Sequence, residues 1–368
     1  MNPSRFQATP ANSQDDQALR AILAQTPLPG ALSVTLEREP SFFAGSPDAL
    51  RHDVVAVRDT DQTIAGLGSR CERAAWFQGQ ASTIAYLGDL RVVPQCRPWA
   101  GRILIEGYRY FEKLEKVRPT TATYTAIFES NTPARRALSG GRAGLPHYLD
   151  LGLLHCPALL VHPWARSPKS TRFTCRVATE ADYPALANFL NAALRPRDLA
   201  PVHSAEDFIA GKRWPGLKSE DFIMAWEGGK LVGCIALWDL RTFRQIRVQN
   251  YRGWLRYARP IVSRLMTLLG WPSLTPPGAL VPAAFASFWA TANDDIELGK
   301  LLLRHARHAA ARRGISLMFT CLHERDPLLP SLRGWLAIPT EGRLYEVSFD
   351  GQSRLTGECP PHVEAALL

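Results

Sequence analysis

The same order of strands and helices occurs twice along this chain. Three residue pairs lie 167 positions apart: Phe6 and Phe173, Leu19 and Leu186, Gly66 and Gly233. Four later pairs lie 194 positions apart: Arg102 and Ile296, Thr121 and Ile315, Pro133 and Pro327, Leu138 and Leu332. Each offset stays constant through strands and helices alike, and a repeat this long indicates duplicated domains rather than a solenoid. We therefore predict two tandem domains, at residues 1–165 and 170–368.

The second copy carries an insertion at about residues 239–280, between its third and fourth strands. Its first part, Arg241–Arg259, interleaves arginine with aromatic residues. Apolar residues at helical spacing overlap and follow it: Trp254, Leu255, Ala258, Ile261, Val262, Leu265 and Leu269. The spacing predicts an amphipathic helix that covers the second sheet. A wall of a binding site, a patch for an anionic partner and a helix lying on a membrane surface are the alternatives.

Residues 86–102 of the first copy predict a strand, a turn and a helix. Apolar residues alternate over Tyr86–Val92, and Pro94 ends the strand. A helix is predicted from about Arg102 to Lys116, with apolar residues along one face. The first turn of a helix leaves backbone N–H groups without partners, and the helix dipole adds partial positive charge there. A strand that turns directly into a helix is therefore a candidate site for a phosphate or pyrophosphate.

The turn in the first copy differs from its counterpart in the second. Ala100 and Gly101 allow a ligand to approach the backbone closely, and two arginines flank them. The matching positions of the second copy are Asp294 and Asp295. Carboxylates at a helix N-terminus cap the helix, and they repel a phosphate at the same place. We therefore predict that the first copy binds an anionic ligand here and that the second copy has lost this site.

This layout resembles the acetyl-CoA loop of the GNAT N-acetyltransferase superfamily. Leu90-Arg-Val-Val-Pro94 matches the family's strand pattern of Leu-x-Val-x-Pro, and Arg97-Pro-Trp-Ala-Gly101 matches its loop with one residue missing. A strand predicted over Thr121–Phe128 is followed by Asn131-Thr-Pro-Ala134, which fits the family's Asn-x-x-Ala helix start. The resemblance extends over nearly the whole chain, with specific motifs only in residues 86–138. It identifies a tandem two-domain member whose second domain is degenerate.

The resemblance implies an α/β (α+β) fold with two GNAT-like domains, each a mixed, mostly antiparallel central sheet flanked by helices. In that family the sheet opens between its fourth and fifth strands, and the pantetheine arm lies in the gap. One N–H of the fourth strand then polarises the thioester carbonyl. The implied ligand is acetyl-CoA or another acyl-CoA. The residues implied to bind it are Leu90, Arg91, Val92, Val93, Arg97, Pro98, Trp99, Ala100, Gly101, Arg102, Asn131 and Arg135.

The catalytic residues are less well defined than the cofactor residues. An amine acceptor must lose a proton to attack, and Asp89 and Glu129 are the nearest carboxylates. A structural role is the alternative for Asp89, and a solvated strand end is the alternative for Glu129. Many family members protonate the leaving thiolate with a Tyr, but Leu138 stands at that position here. Ser130, Tyr124 and Tyr148 are candidate replacements, and Ser130 joins the two carboxylates as a candidate catalytic residue.

The resulting prediction is an acetyl-CoA-dependent N-acyltransferase. It moves an acetyl group to a primary amine of a small-molecule or peptide acceptor by direct attack. Loops such as Thr26–Ala44, together with the insertion, are expected to form the acceptor pocket. The alternative is a non-catalytic acyl-CoA-binding regulatory protein, which the absent Tyr and the degenerate second copy favour.

Composition restricts the remaining partners. A formal charge of +9 suits either CoA or nucleic acid, but the chain has no nucleic-acid-binding motif, so nucleic acid is not an expected partner. The seven cysteines are scattered without metal-ligand spacing, and no metal site is expected. No apolar run is long enough for a membrane helix, and the first residues show no signal pattern. We expect a cytoplasmic monomer or homodimer with no membrane partner.

Overall fold

A computed structural model describes residues 5–28, 32–44, 49–209 and 213–368. The strands of the described residues are β1 (Gln7–Pro10), β2 (Leu32–Glu37), β3 (Arg51–Arg58), β4 (Ile64–Phe77), β5 (Gln80–Val92), β6 (Thr123–Phe128), β7 (His147–His155), β8 (Ala158–Leu160), β9 (Thr174–Val177), β10 (Phe222–Glu227), β11 (Lys230–Trp238), β12 (Gln245–Tyr251), β13 (Ala283–Thr291), β14 (Leu317–Phe319), β15 (Leu322–His323), β16 (Ala337–Ile338) and β17 (Glu341–Ser348). The α-helices are α1 (Asp16–Gln25), α2 (Ala100–Val117), α3 (Thr132–Leu138), α4 (Tyr183–Leu194), α5 (Leu255–Leu268) and α6 (Ile296–Arg312).

Two large mixed sheets organise these elements. One has eight strands in the order β1-β3-β4-β5-β6-β17-β7-β15, and the other has seven in the order β16-β8-β14-β13-β11-β10-β9. Nearly all neighbours are antiparallel; the parallel pairs are β5 with β6 and β13 with β14. Helices α2 and α6 pack on the first and second sheet, respectively. The predicted fold class, with mostly antiparallel sheets flanked by helices, is confirmed.

The two halves of the chain exchange strands. β17 comes from near the C-terminal end, yet it lies between β6 and β7, with Leu344 opposite both Ala126 and Gly152. In return, β8 leaves the first half and lies between β14 and β16 of the second sheet. Each sheet therefore contains strands from both sides of residues 165–170, and the domain boundaries placed there stay a prediction.

One glycine in each copy lets a helix pack close to its sheet. A Cβ at Gly66 would lie 2.5 Å from Cγ2 of Ile103 in α2, and a Cβ at Gly233 would lie 3.0 Å from Cδ2 of Leu298 in α6. Both distances are shorter than ordinary van der Waals contact, so a side chain at either position would push the helix away. The glycines recognised as a repeat pair thus have the same packing role in both halves.

The insertion also reaches the first half of the chain. β12 pairs in antiparallel register with β2, with Val248 opposite Val34. The segment Thr26–Ala44, expected to be a loop, therefore contains a strand, although residues 29–31 lie outside the described part. The expectation that α5 covers the second sheet with its apolar face is wrong, because Trp254, Ile261 and Leu265 are exposed. The helix packs instead beside β12.

The two short strands after α6 lie in different sheets. The first, β14, joins the second sheet beside β8, whereas β15 pairs with β7 of the first sheet. The chain between them, near Cys321, thus passes from one sheet to the other. The two sheets are consequently linked at this point as well as through the exchanged strands.

Candidate active site

The first sheet opens between β5 and β6. Their parallel pairing joins Ala85 to Thr123 and Tyr86 to Tyr124, and no further register pair follows between the two described strands. Beyond this point β5 continues along β4 on one side only, with Arg91 opposite Leu67. The other edge of β5 therefore presents its main chain to the gap between the strands.

A bulge lies where the gap begins. The register of β5 against β4 shifts between Leu67 and Ser69, so two residues of β5, Asp89 and Leu90, lie opposite the single residue Gly68. Asp89 has a φ of 53°, which a residue with a side chain seldom adopts. A Cβ at Gly68 would lie 2.8 Å from Cδ2 of Leu90, so the glycine makes room for the side chain that the bulge turns inward. A bulge of this kind re-aims main-chain groups beside functional sites.

A 3₁₀ helix, Pro94–Trp99, separates this strand from α2, so the strand does not turn directly into the helix as predicted. Trp99 precedes the helix without a side-chain cap, and the first turn contains no acidic residue. A Cβ at Gly101 would lie 2.5 Å from Cζ of Arg142, so the guanidinium of Arg142 fits only over a glycine. Arg97 and Arg102 are exposed beside it. The N–H of Ala100 already donates to the main-chain oxygen of Arg97, so the small-residue cradle and the nearby guanidinium groups are what suits this turn to a phosphate.

The corresponding helix of the second half is already capped. Asp295 Oδ1 accepts a hydrogen bond from the N–H of Leu298 at 3.0 Å at the start of α6. Asp294 forms an ion pair with Arg197, which also binds Asp326 at 2.8 Å. The predicted capping role is therefore found for Asp295, whereas Asp294 forms an ion pair instead.

The carboxylate at the bulge is held by hydrogen bonds. Asp89 Oδ2 accepts from Nη2 of Arg38 at 2.6 Å and from Oγ of Ser69 at 3.1 Å. Burial acts to raise the pKa of Asp89, but the charge of Arg38 and other neighbouring cations prevails and lowers it to about 2. Since a carboxylate with such a pKa is a weak base, Asp89 is poorly suited to accept a proton at neutral pH.

Other cations surround this carboxylate. Burial lowers the pKa of Arg91, whose Nε has no hydrogen-bond partner among the described residues. Burial likewise lowers the pKa of Arg244, to about 10, and Arg244 donates to the main-chain oxygens of Ala366 at 2.8 Å and Leu368 at 2.6 Å. These buried guanidinium groups give the region next to the gap a positive potential.

Residues 362–368 were not singled out in the sequence, yet they pack beside the gap. Nη2 of Arg73 donates to the main-chain oxygen of Leu367 at 2.7 Å, while its Nη1 donates to the hydroxyl of Tyr124 at 3.0 Å. Glu364 accepts a hydrogen bond from the N–H of Phe288 at 2.9 Å. No motif marks the first of these contacts, because it joins residues almost 300 positions apart.

The residues predicted at the end of β6 are tied to one another. Glu129 forms ion pairs with Arg135 and with Arg343, the latter at 2.8 Å. Asn131 caps α3, because its Oδ1 accepts from the N–H of Ala134 at 3.4 Å. Ser130 between them is exposed. The structure therefore uses Glu129, Asn131 and Arg135 in local contacts.

The tyrosines considered as proton donors lie in different surroundings. Tyr148 shares a hydroxyl–hydroxyl hydrogen bond with Tyr108, and burial raises the pKa of both groups. Tyr124 accepts from Arg73 and stacks at a tilt against Tyr86, with ring centroids 5.2 Å apart. Tyr124 lies on the strand that borders the gap, so it is the tyrosine of the two that adjoins the opening.

A small cavity lies between α2 and the sheet. Its volume is about 20 Å³, which is room for about one water molecule. It is lined by Leu67, Leu90, Ile103, Leu104 and Phe111, among others. The described residues contain no group of three His, Cys, Asp or Glu side chains placed to hold a metal ion. None of their helices is long and apolar enough to span a membrane.

Solved structures share this fold. No protein-family model and no curated protein matches the sequence. A GCN5-related N-acetyltransferase from Sphaerobacter thermophilus aligns over 100% of both chains, with a TM-score of 0.55 and 13% identity. The N-myristoyltransferase of Saccharomyces cerevisiae, solved with bound myristoyl-CoA, aligns over 94% of this chain and 83% of its own, with a TM-score of 0.59 and 10% identity.

A third structure is the GCN5-related glucosamine N-acetyltransferase region of a fungal multi-domain β-N-acetylglucosaminidase. It aligns over 94% of this chain and 38% of its own, with a TM-score of 0.59 and 12% identity. The chain therefore has the GNAT fold, as the sequence predicted, over its whole length. At these identities the similarity establishes the fold, and the chemistry has to be argued from the site.

Proposed function

We propose that this protein is an acyl-CoA-dependent N-acyltransferase that moves an acetyl group to a primary amine. The difference between the two helix starts carries the proposal. Helix α2 starts without a side-chain cap and without an acidic residue in its first turn, near a strand edge that faces a gap, whereas Asp295 caps α6. Of the two helix starts, that of α2 is the one without carboxylates, which would repel a pyrophosphate.

The residues of the first site fit the parts of an acyl-CoA. The first turn of α2, with Arg97, Arg102 and Arg142, would hold the phosphates. The main chain of Leu90–Val93 would hold the pantetheine amides along the open edge of β5. The bulge at Asp89 would aim a main-chain N–H at the thioester oxygen, where negative charge develops during acyl transfer.

Acetyl-CoA is the donor we propose, because residues 90–101 resemble an acetyl-CoA loop. One structure of this fold holds myristoyl-CoA, which is a longer acyl donor.

The reaction forms a bond between the acceptor nitrogen and the acyl carbon, breaks the carbon–sulfur bond, and releases one proton from the amine. Asp89 stays charged at neutral pH, so we assign it a positioning role: it holds Arg38 and the bulge in place. Glu129 and Ser130 stay candidates for moving protons at the end of β6. A free thiol has a pKa near 8.5, so the leaving thiolate needs little assistance.

A second function is a non-catalytic acyl-CoA-binding protein. Two observations favour it: both candidate carboxylates are engaged in ion pairs, and Leu138 stands where the resemblance implies a tyrosine. Such a protein would bind CoA at the same site, in the same conformation, without transferring the acyl group.

One experiment distinguishes these functions. The protein is mixed with acetyl-CoA and panels of amino acids, polyamines and peptides, and the CoA thiol released is measured with a thiol reagent. Acceptor-dependent release that Gly101→Glu abolishes supports the transferase. Binding of CoA by calorimetry without release supports the second function, and absence of both would overturn the assignment of the site.

A further inference from the structure

Helix α5 exposes a continuous apolar stripe. Its members lie at helical spacing on one side: Trp254 is 72% exposed, Tyr257 78%, Ile261 72%, Leu265 55% and Leu268 84%. These five residues, the α5 stripe, span the full length of the helix. Single exposed apolar residues are common, but a contiguous row of large ones marks an interaction surface.

The opposite side of the helix is attached to the protein, which fixes the direction of the stripe. Leu255 packs against a buried cluster that includes Val248, Tyr251 and Val281. Arg259 lies with its Cζ 6.0 Å from the centroid of the Tyr251 ring. Since β12 is itself paired with β2, α5 is anchored to a sheet and presents the stripe outward.

A further aromatic residue extends the exposed row. Trp164 is 79% exposed, and a Cβ at Gly270, just beyond the end of α5, would lie 3.9 Å from its ring. His162 holds this region together by packing on Trp271, with ring centroids 4.7 Å apart. The stripe thus begins at Trp254 and ends near Trp164, with an indole group at each end.

The charge around the stripe has one sign. No acidic residue occurs between Asp239 and Asp294; of the seven arginines in this segment, Arg241 and Arg247 form ion pairs with Asp239 and Glu37, which lie outside it. Arg252, Arg256 and Arg264 are exposed on or just before the helix. Two copies packed through this face would bring these cations together with no local acid to neutralise them, so the charge disfavours self-association through the stripe.

The exposed stripe argues against the expectation of no membrane partner: we propose that it binds the surface of an anionic lipid bilayer, with the helix lying in the plane of the interface. Apolar and aromatic side chains would enter the boundary between headgroups and acyl chains, and the arginines would contact anionic headgroups. This combination of an apolar face, flanking cations and terminal tryptophans is that of an interfacial helix. The proposal concerns a surface apart from the acyl-CoA site and does not depend on the proposed activity.

The test measures binding of the full chain to vesicles by flotation. Vesicles of phosphatidylcholine are compared with vesicles containing phosphatidylglycerol at one part in four, at low and high salt. We expect strong binding only to the anionic vesicles, and weakening as salt rises. The double variant Arg256→Glu/Arg264→Glu should lower the partition coefficient by about 25-fold or more, because each cation near the surface contributes about fivefold.

The apolar contribution is tested separately. Ile261→Glu/Leu265→Glu should abolish binding to anionic vesicles, because it places charge within the stripe. Val117→Glu and Lys230→Glu are matched controls on other exposed positions and should bind like the parent protein. Circular dichroism and melting temperature confirm that each variant is folded.

Three outcomes would overturn the proposal. The first is no binding of the parent protein to anionic vesicles at low salt. The second is binding that neither double variant reduces. The third is a dimer in sedimentation velocity that Ile261→Glu/Leu265→Glu converts to a monomer, which would assign the stripe to a second copy of the chain.

Discussion

The guanidinium of Arg38 donates to the carboxylate of Asp89 at 2.6 Å and so joins the chain after β2 to the bulge of β5. The same guanidinium contributes to the low pKa of Asp89 and lies 5.0 Å from the centroid of the Phe42 ring. This ion pair therefore connects the end of β2, which pairs with β12 of the insertion, with β5, which borders the proposed site.

Replacing Asp89 by Asn should destabilise the protein at neutral pH. The substitution leaves the buried Arg38 without its charged partner, which typically costs about 3 kcal/mol. Because the pKa of Asp89 is lowered to about 2 in the folded protein, its contribution is complete above about pH 4 and is lost as pH falls toward 2. Urea unfolding should thus show a large difference from the parent at pH 7 that shrinks below pH 4. Glu112→Gln, which breaks an exposed ion pair with Lys116, serves as the control and should cost less than about 0.5 kcal/mol.

Acid should weaken the protein well before Asp89 titrates. Burial lowers the pKa of His52 to about 4, so His52 is neutral when folded and binds a proton more readily when unfolded. Its contribution to stability is complete above about pH 6.5 and is lost as pH falls toward 4. Between about pH 4 and pH 6.5, the slope of the free energy of unfolding against pH should be smaller in His52→Gln than in the parent. The difference should correspond to at most one bound proton. An unchanged slope would contradict the assignment.

Gly101→Glu should abolish CoA binding and leave the protein folded. The new side chain would meet Arg142, and its carboxylate would occupy the proposed place of a phosphate. Calorimetry with CoA measures the loss. Gly107→Ala, on the same helix, is the control, because its Cβ would lie at an ordinary 3.6 Å from Val57. Binding by the Glu variant with the parent's affinity would show that the ligand lies elsewhere.

Asp295→Ala should change stability but not ligand stoichiometry. The substitution removes the cap of α6 and should lower the free energy of unfolding by about 1 kcal/mol. We expect one CoA per chain in both the parent and the variant, since the start of α6 lacks the cradle found at Gly101. Two bound CoA molecules per parent chain would refute the proposed asymmetry between the copies.

A fragment ending at Pro163 should fail to fold alone. It would lack β17, so β6 and β7 would both have unpaired edges inside the first sheet. Size-exclusion chromatography should find aggregates. Co-expression with residues 164–368 should restore a soluble complex, because the exchanged strands are then present in separate chains. A soluble, monomeric fragment with native-like melting would contradict this expectation.

The sequence predicted local structure well where the hydrophobic period and the capping residues indicate the same helix start. Helix α6 begins at Ile296, directly after Asp295, which is one of the two carboxylates predicted to cap it. The gap between β5 and β6 followed from the resemblance and is present in the folded chain. In contrast, the strand at Leu32–Glu37 was missed, because its partner is the insertion, about 210 residues away.

The candidate site could be predicted only in part for the same reason. The turn before α2 is encoded in consecutive residues, so Ala100 and Gly101 could be recognised directly. Arg38, Arg73 and Arg244 could not, because each reaches its partner through tertiary contacts that no spacing records. The amphipathic pattern of α5 was recognised, but the same pattern fits a helix whose apolar face is covered and one whose face is bare. Only the packing of the folded chain distinguishes the two.

The strand exchange affects how the protein folds while it is being synthesised on the ribosome. β7 ends at His155, but its neighbour β17 begins only at Glu341. At about 5–20 residues per second, this leaves roughly 10–40 s during which the first sheet cannot be completed. Throughout that interval β6 and β7 each have an unpaired edge, which can form hydrogen bonds with a strand of another chain. The first sheet therefore stays incomplete until β17 has been synthesised.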